Sequence, residues 1–194
     1  MPTHAAHSFR AALTALIGLA EVAHLAWDHA HGGIPSHHLL NNADLPAVSN
    51  AWGVVLLPAL AWWLIGRIQQ RLARARANGA GMRRARTGVA LGFGVAALVG
   101  ITIATAFTLD VSAVSSAAFM GTLLAALVLP LYRSEFVLGF ALALAYTFGP
   151  VLPVLIASVI AAISFVSTVL VSGAISRWVL PRLRADPARR STHG

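Results

Sequence analysis

Residues 89–109 read VALGFGVAALVGITIATAFTL, a run of 21 residues without a charge. A helix needs about 20 consecutive apolar residues to cross the roughly 30 Å hydrocarbon core of a bilayer. The whole chain has the same character, because 58% of its 194 residues are hydrophobic and only 10% are charged. Soluble domains are about one quarter charged. The composition therefore predicts an all-α, polytopic membrane protein.

The composition also excludes several classes of protein. Disordered chains are polar, and this chain is not. The sequence contains no cysteine, which excludes a disulfide scaffold and cysteine-ligated zinc or iron–sulfur centres. All 14 basic residues are arginine. Because there is no lysine to form a Schiff base, a retinal-binding rhodopsin of the usual kind is excluded as well.

Further apolar stretches on both sides of residues 89–109 complete a prediction of six transmembrane helices. Gly149-Pro150 separates the last two, since proline lacks the backbone donor that a continuing helix needs. One helix across both stretches would be about 63 Å long, twice the bilayer core. The predicted spans are 8–31, 46–66, 89–109, 112–132, 135–149 and 151–176, with Asp44 as a candidate N-cap of the second.

The arginines orient these six spans. Seven lie in a predicted basic loop at 67–87 and five in a predicted flexible tail at 177–194, with Arg10 and Arg133 as the remaining two. Six spans put all of them on one side, which the positive-inside rule makes cytoplasmic. We therefore expect a multi-pass inner (plasma) membrane protein with both termini inside. The net charge of +8 then reflects orientation and contact with the lipid bilayer, and no nucleic-acid partner is predicted.

Polar residues concentrate in the half of the chain that faces outward in this topology. Five of the eight histidines lie between His24 and His38. Glu21, His24, Asp28 and His31 are spaced i, i+3, i+7 and i+10, so on a helix they share an arc of about 80°. Glu21 falls near the middle of the first span, where an ionisable side chain usually faces the bundle interior or a water-filled cavity.

Imidazole and carboxylate groups together suit a divalent transition metal such as zinc, iron, manganese, nickel or copper. The leading hypothesis is an outward-opening metal site, in a membrane metalloenzyme that acts on a lipid-soluble substrate. Glu21, Asp44 and Asp110 are the candidates that orient or deprotonate a water. The candidate metal ligands are His24, Asp28, His29, His31, His37 and His38.

Two other classes of function fit the same residues. In a metal-ion or proton-coupled transporter the cluster would be the outer entry site and Glu21 a deeper relay, because histidine is the side chain that changes charge nearest neutral pH. In a non-catalytic membrane subunit or assembly factor, the outer loop would instead contact a partner. The sequence leaves the oligomeric state open.

Two short motifs resemble those of metal-handling membrane proteins. Residues 24–29, HLAWDH, are similar to the pattern of nickel/cobalt permeases, in which a histidine, four residues and then Asp-His lie on an early helix. Here three residues intervene, which rotates His24 by about 100° around the helix. Residues 31–38, HGGIPSHH, resemble a His-rich motif of membrane-bound metal-dependent enzymes. Both resemblances imply metal binding at this segment.

Overall fold

The computed structural model describes residues 4–38, 47–79 and 81–174. These residues form six α-helices and one short antiparallel hairpin. In chain order the elements are α1 His4–Ala30, β1 Ser36–His38, β2 Ala47–Ser49, a 3₁₀ turn Asn50–Trp52, α2 Gly53–Ala77, α3 Met82–Thr108, α4 Ser112–Val128, α5 Ser134–Phe148 and α6 Val151–Ala174.

Four of the helices in the described ranges, namely α1, α2, α3 and α6, are long and apolar enough to cross a membrane. The other two are shorter: α4 has 17 residues and α5 has 15, about 25 Å and 22 Å of helix. The prediction of a helical membrane protein is confirmed in this form. The number of spans stays a prediction.

The bounds of α2 and α3 differ from the predicted spans. Helix α2 begins at Gly53 instead of residue 46, and its N-cap position is Trp52 and not Asp44, which lies outside the described residues. The predicted basic loop at 67–87 is mostly helical, because α2 continues to Ala77 and α3 already begins at Met82. Alanine and arginine have high helix propensity. A helix therefore continues beyond the point where the apolar run ends.

The chain between α1 and α2 returns to the start of α2 through the hairpin. His37 is paired with Val48 in the antiparallel register, and the Asn50 amide donates to the Pro35 carbonyl over 3.0 Å. Ser49 then caps the 3₁₀ turn, since its hydroxyl accepts from the Ala51 amide. This short capped segment occupies the positions where the apolar pattern predicts the first turns of a helix.

Contacts along the helices fix their relative directions. Helices α1 and α2 are antiparallel, because Arg10 contacts Trp62 whereas Glu21 lies against Gly53. Helix α5 is also antiparallel to α2, with Arg71 bonded to Glu135 at its start. Helices α3 and α5 are parallel: Gly92 faces Glu135, and further along α3 Gly100 faces Ala143.

The direction of α4 relative to α6 follows from contacts at both of their ends. A cavity is lined by Ser115 near the start of α4 and by Pro153 near the start of α6. The Ser164 hydroxyl, further along α6, donates to the Leu129 carbonyl and accepts from the Leu131 amide just after α4. Helices α4 and α6 are thus parallel, and consecutive helices alternate in direction. We call the end that holds Arg10, Arg71 and Glu135 the arginine-rich end.

Helix α5 forms the centre of the bundle. Its residues from Glu135 to Ala141 are all buried, and it packs mainly against α3. Glycines bring these two helices close, since a Cβ atom at Gly139 would lie 2.6 Å from the Phe93 carbonyl oxygen. Small residues at such contacts are typical of membrane helices. Large apolar side chains on the outside of the bundle, among them Leu98, Val128 and Leu170, are exposed as lipid-facing residues would be.

Candidate functional site

A line of polar side chains follows α1 along its contact with α2. Arg10, Thr14, Glu21, His24 and Asp28 are spaced i, i+4, i+11, i+14 and i+18, so they share an arc of about 80°. We call these five residues the polar stripe. It covers about 27 Å of helix, from the arginine-rich end to the opposite end of the bundle.

Glu21 is the most buried member of the polar stripe, with 6% of its surface exposed. Its carboxyl group lies against Gly53 of α2 and beside Pro150, and a Cβ atom at Gly53 would overlap it. Its Oε1 atom is buried and has no hydrogen-bond partner among the described residues. A buried polar atom without a partner costs free energy. This oxygen is therefore free to accept a proton or a ligand.

His24 and Asp28 lie toward the outer end predicted for this helix. The His24 Nε2 atom is 3.8 Å from the Asp28 Oδ1 atom, and the two side chains are 16% and 18% exposed. That distance is longer than a hydrogen bond but within the range of an ion pair, which these two groups form only when the imidazole is protonated. The His24 ring also stacks on Tyr146 of α5, with 4.7 Å between ring centroids.

The turn between α5 and α6 closes the site from the other side. Gly149 has a φ angle of +70°, a conformation that glycine adopts without steric cost. The Asn50 side chain lies directly against Gly149, where any Cβ atom would overlap its amide, and Asn50 is itself buried. The predicted break at Gly149-Pro150 is thus the point where α1, the start of α2 and the α5–α6 turn meet.

The structure does not gather the other predicted ligands around His24 and Asp28. His31 lies just beyond α1, exposed, where its ring stacks on Trp27 and its Nδ1 donates to the Trp27 carbonyl. His29 is exposed on another face of α1. Within the described residues no three histidine, aspartate or glutamate side chains are close enough to hold a metal ion together.

The remaining predicted site residues lie elsewhere or beyond the described part. Asp110 is exposed in the turn between α3 and α4, with a φ angle of +56°. His37 and His38 contribute backbone to β1, and their side chains are not among those described. Asp44 lies outside the described ranges. Their predicted roles as base and ligands stay predictions.

At the arginine-rich end the polar stripe is fixed to α2. The Arg10 Nε atom donates to the Trp62 carbonyl over 2.7 Å, and its guanidinium lies 3.9 Å from the centroid of the Trp62 ring. One turn further along, the Thr14 hydroxyl is buried without a partner in the described part of the chain. The stripe therefore contains two unsatisfied buried oxygens, on Thr14 and Glu21.

Sequence reasoning missed a second buried acid, Glu135, in the first turn of α5. Only 1% of its surface is exposed, and Arg71 donates to its Oε1 atom over 2.7 Å. Its Oε2 atom is buried and has no partner within 4–38, 47–79 and 81–174. The available signal was a lone acid two positions after Arg133, at the start of an apolar stretch, in a chain with only six acids.

Comparison of the chain with models of protein families, with curated proteins and with solved structures finds no match.

Proposed function

We propose that this chain is a six-span plasma-membrane protein, with both termini inside, that conducts protons across the membrane along the polar stripe of α1. The alternating directions of the six helices support the topology, as does the collection of Arg10, Arg71 and Arg133 at one end. Positive residues remain on the cytoplasmic side of membranes.

The short helix α5 is compatible with a complete crossing. Glu135 at its start reaches Arg71, and Pro150 after its end lies beside Gly53. Eighteen residues of α2 separate these two contact points, a rise of about 27 Å. The two contact points thus lie nearly a bilayer-core thickness apart along α2, although α5 itself rises only about 22 Å.

The observation that carries the proposed function is the Glu21 carboxyl. It is buried on an apolar helix, at the level of the first residue of α2 and the Pro150 turn and not at the middle of the bundle, and one oxygen has no partner among the described groups. An ionised carboxylate is costly in such a position, and intramembrane acids of this kind mark ion and proton pathways. A proton is the cation that needs one oxygen and no further ligand.

The neighbours of Glu21 on the polar stripe supply a route. His24 and Asp28 lie one and two turns away from Glu21 toward the outer end, and their side chains approach each other to 3.8 Å. Toward the arginine-rich end, Thr14 is about 10 Å further along the helix. Gly18 packs against Pro58 of α2 within that gap, so proton transfer across it requires water to enter as the two helices separate.

Infrared difference spectroscopy of the reconstituted protein tests whether Glu21 exchanges a proton. We expect a pH change to alter the carboxylic-acid C=O stretch, and Glu21→Gln to remove that band. Asp186→Asn makes the same carboxyl-to-amide change outside the predicted spans and should leave the band in place. An unchanged spectrum in Glu21→Gln would eliminate Glu21 as the proton carrier.

A divalent transition metal at His24 and Asp28 is the second candidate. It is favoured by the 3.8 Å approach of an imidazole nitrogen and a carboxylate oxygen, which are ligands for such ions. The metal would either be carried through the site or be held there for catalysis on a lipid-soluble substrate. In both cases it requires at least one more ligand. Elemental analysis of the purified protein should then find bound metal that His24→Ala removes and that His4→Ala, at an exposed histidine, retains.

A further inference from the structure

A cavity of about 850 Å³ lies at the arginine-rich end, between α2 and α6, and is bounded also by the first turn of α5. Four arginines line it: Arg67, Arg71 and Arg74 from α2, and Arg133 from the turn before α5. The polar stripe of α1 does not contribute to its walls.

The charge of the cavity is strongly positive. Glu135 is the one acid on its described walls, and it is already bonded to Arg71. Arg67, Arg74 and Arg133 form no ion pair with any described residue. Three guanidinium groups therefore face the same cavity without a carboxylate to compensate them. The planar guanidinium presents paired donors that match the oxygens of a phosphate group.

The cavity is also lined by apolar side chains, which we call the apolar wall. Leu60 and Leu64 lie on α2 closer to the middle of the bundle than Arg67, and Ala161 and Phe165 come from α6, where Phe165 packs on Tyr132. Trp63 lies at the same level as Arg67, whose guanidinium carbon is 5.3 Å from the tryptophan ring centroid. Tryptophan beside arginine is typical of the depth at which lipid headgroups meet acyl chains. The cavity thus combines a cationic end with a hydrocarbon end.

We infer that this cavity binds a phosphate group, and that the phosphate is that of an anionic phospholipid. The phosphate contacts Arg67, Arg74 and Arg133, and the acyl chains lie against the apolar wall between α2 and α6. Basic pockets between membrane helices bind anionic lipid headgroups in this way. A soluble phosphate compound would satisfy the arginines but would leave the apolar wall without an occupant.

Native mass spectrometry of the full chain in detergent tests the inference, with phosphatidylglycerol and phosphatidylcholine as the two lipids titrated. In Arg67→Gln/Arg74→Gln/Arg133→Gln we expect affinity for phosphatidylglycerol to fall by about tenfold or more, because each basic side chain near a phosphate contributes several-fold. All three positions are exposed and unpaired, so the variant should fold.

The matched control is Arg76→Gln/Arg83→Gln/Arg84→Gln, which removes the same charge from exposed positions outside the cavity lining. The inference is supported if this control binds phosphatidylglycerol with wild-type affinity and if all three proteins bind phosphatidylcholine weakly. Displacement of phosphatidylglycerol by millimolar inorganic phosphate would retain the phosphate site but assign it to a soluble compound. The inference would be overturned if the two triple variants lost the same affinity for phosphatidylglycerol, or if the wild type bound both lipids equally.

Discussion

At the scale of single residues, the two buried glutamates are accommodated in the same way. Glu21 lies against Gly53 of α2, and Glu135 lies against Gly92 of α3. At both glycines an added Cβ atom would overlap or press on the glutamate side chain. Because glycine has no side chain, each of these positions leaves space for a glutamate side chain inside an apolar bundle.

The Arg71–Glu135 pair should stabilise the fold through direct coupling. Arg71 is partly exposed whereas Glu135 is buried, so we expect a coupling free energy of about 1–2 kcal/mol, between the values for surface and buried pairs. A double-mutant cycle with Arg71→Gln and Glu135→Gln, followed by denaturant unfolding in detergent, measures it. The same cycle with Arg74→Gln in place of Arg71→Gln should give no coupling. Additive effects of Arg71→Gln and Glu135→Gln would contradict the ion pair.

The two glutamates also show how far the sequence reveals the site. Glu21, His24 and Asp28 follow a helical period on one segment, so their shared face is predictable from spacing. Glu135 pairs with an arginine 64 positions away, and no local pattern encodes that contact. The sequence also predicts His31 on the same helical face as Glu21. The helix ends at Ala30, however, and the His31 ring packs on Trp27.

At the scale of the elements, the parallel contact between α3 and α5 holds the centre of the bundle. Gly100 and Gly139 lie on opposite sides of this contact, each against backbone or a short side chain of the other helix. Helices in lipid have no hydrophobic driving force to associate, so van der Waals packing at close contacts of this kind holds them together.

Gly139→Ala should therefore destabilise the protein. The new methyl group meets the Phe93 carbonyl oxygen, which belongs to backbone and moves only with α3, and overpacking of this kind costs about 1–3 kcal/mol. The control is Gly94→Ala, on the exposed face of α3, where nothing lies within 4 Å of the added atom. Unfolding in detergent should separate the two variants, and equal stability would be inconsistent with the tight α3–α5 contact.

The elements were largely predictable, but their ends were not. Apolar runs locate the six helices of the described residues, because hydropathy reports where a chain is suited to lipid. Hydropathy does not report where helical hydrogen bonding stops. Helix α2 consequently extends through Arg67, Arg71 and Arg74, and these extra turns form one wall of the basic cavity.

At the scale of the whole molecule, the two ends of the bundle differ in chemistry. The arginine-rich end has a large basic cavity and the ion pair between the partly exposed Arg71 and the buried Glu135. The opposite end has Glu21, His24 and Asp28 beside the Pro150 turn. In our two proposals each end has a separate role: the arginine-rich end binds lipid phosphate, and the opposite end exchanges protons.

Labelling of single cysteines should confirm that α2, α3 and α4 each cross the membrane, as the six-span topology requires. The natural chain has no cysteine, so each variant carries one reporter. With an impermeant maleimide applied to intact cells, we expect Ser36→Cys and Ser112→Cys to react. Asn78→Cys and Arg133→Cys should react only after the membrane is permeabilised. Reaction of positions 112 and 133 from the same side would show that α4 does not cross.

Proton flux into proteoliposomes tests the central claim most directly. Under a potassium diffusion potential, vesicles with the wild-type protein should acidify faster than protein-free vesicles, as reported by an internal pH-sensitive dye. Glu21→Gln should lower that rate about tenfold or more, since loss of a positioned proton-transfer group costs factors of this order. Asp186→Asn should retain it. Wild-type vesicles no faster than protein-free ones, or Glu21→Gln as fast as wild type, would contradict the proposal that the polar stripe carries protons.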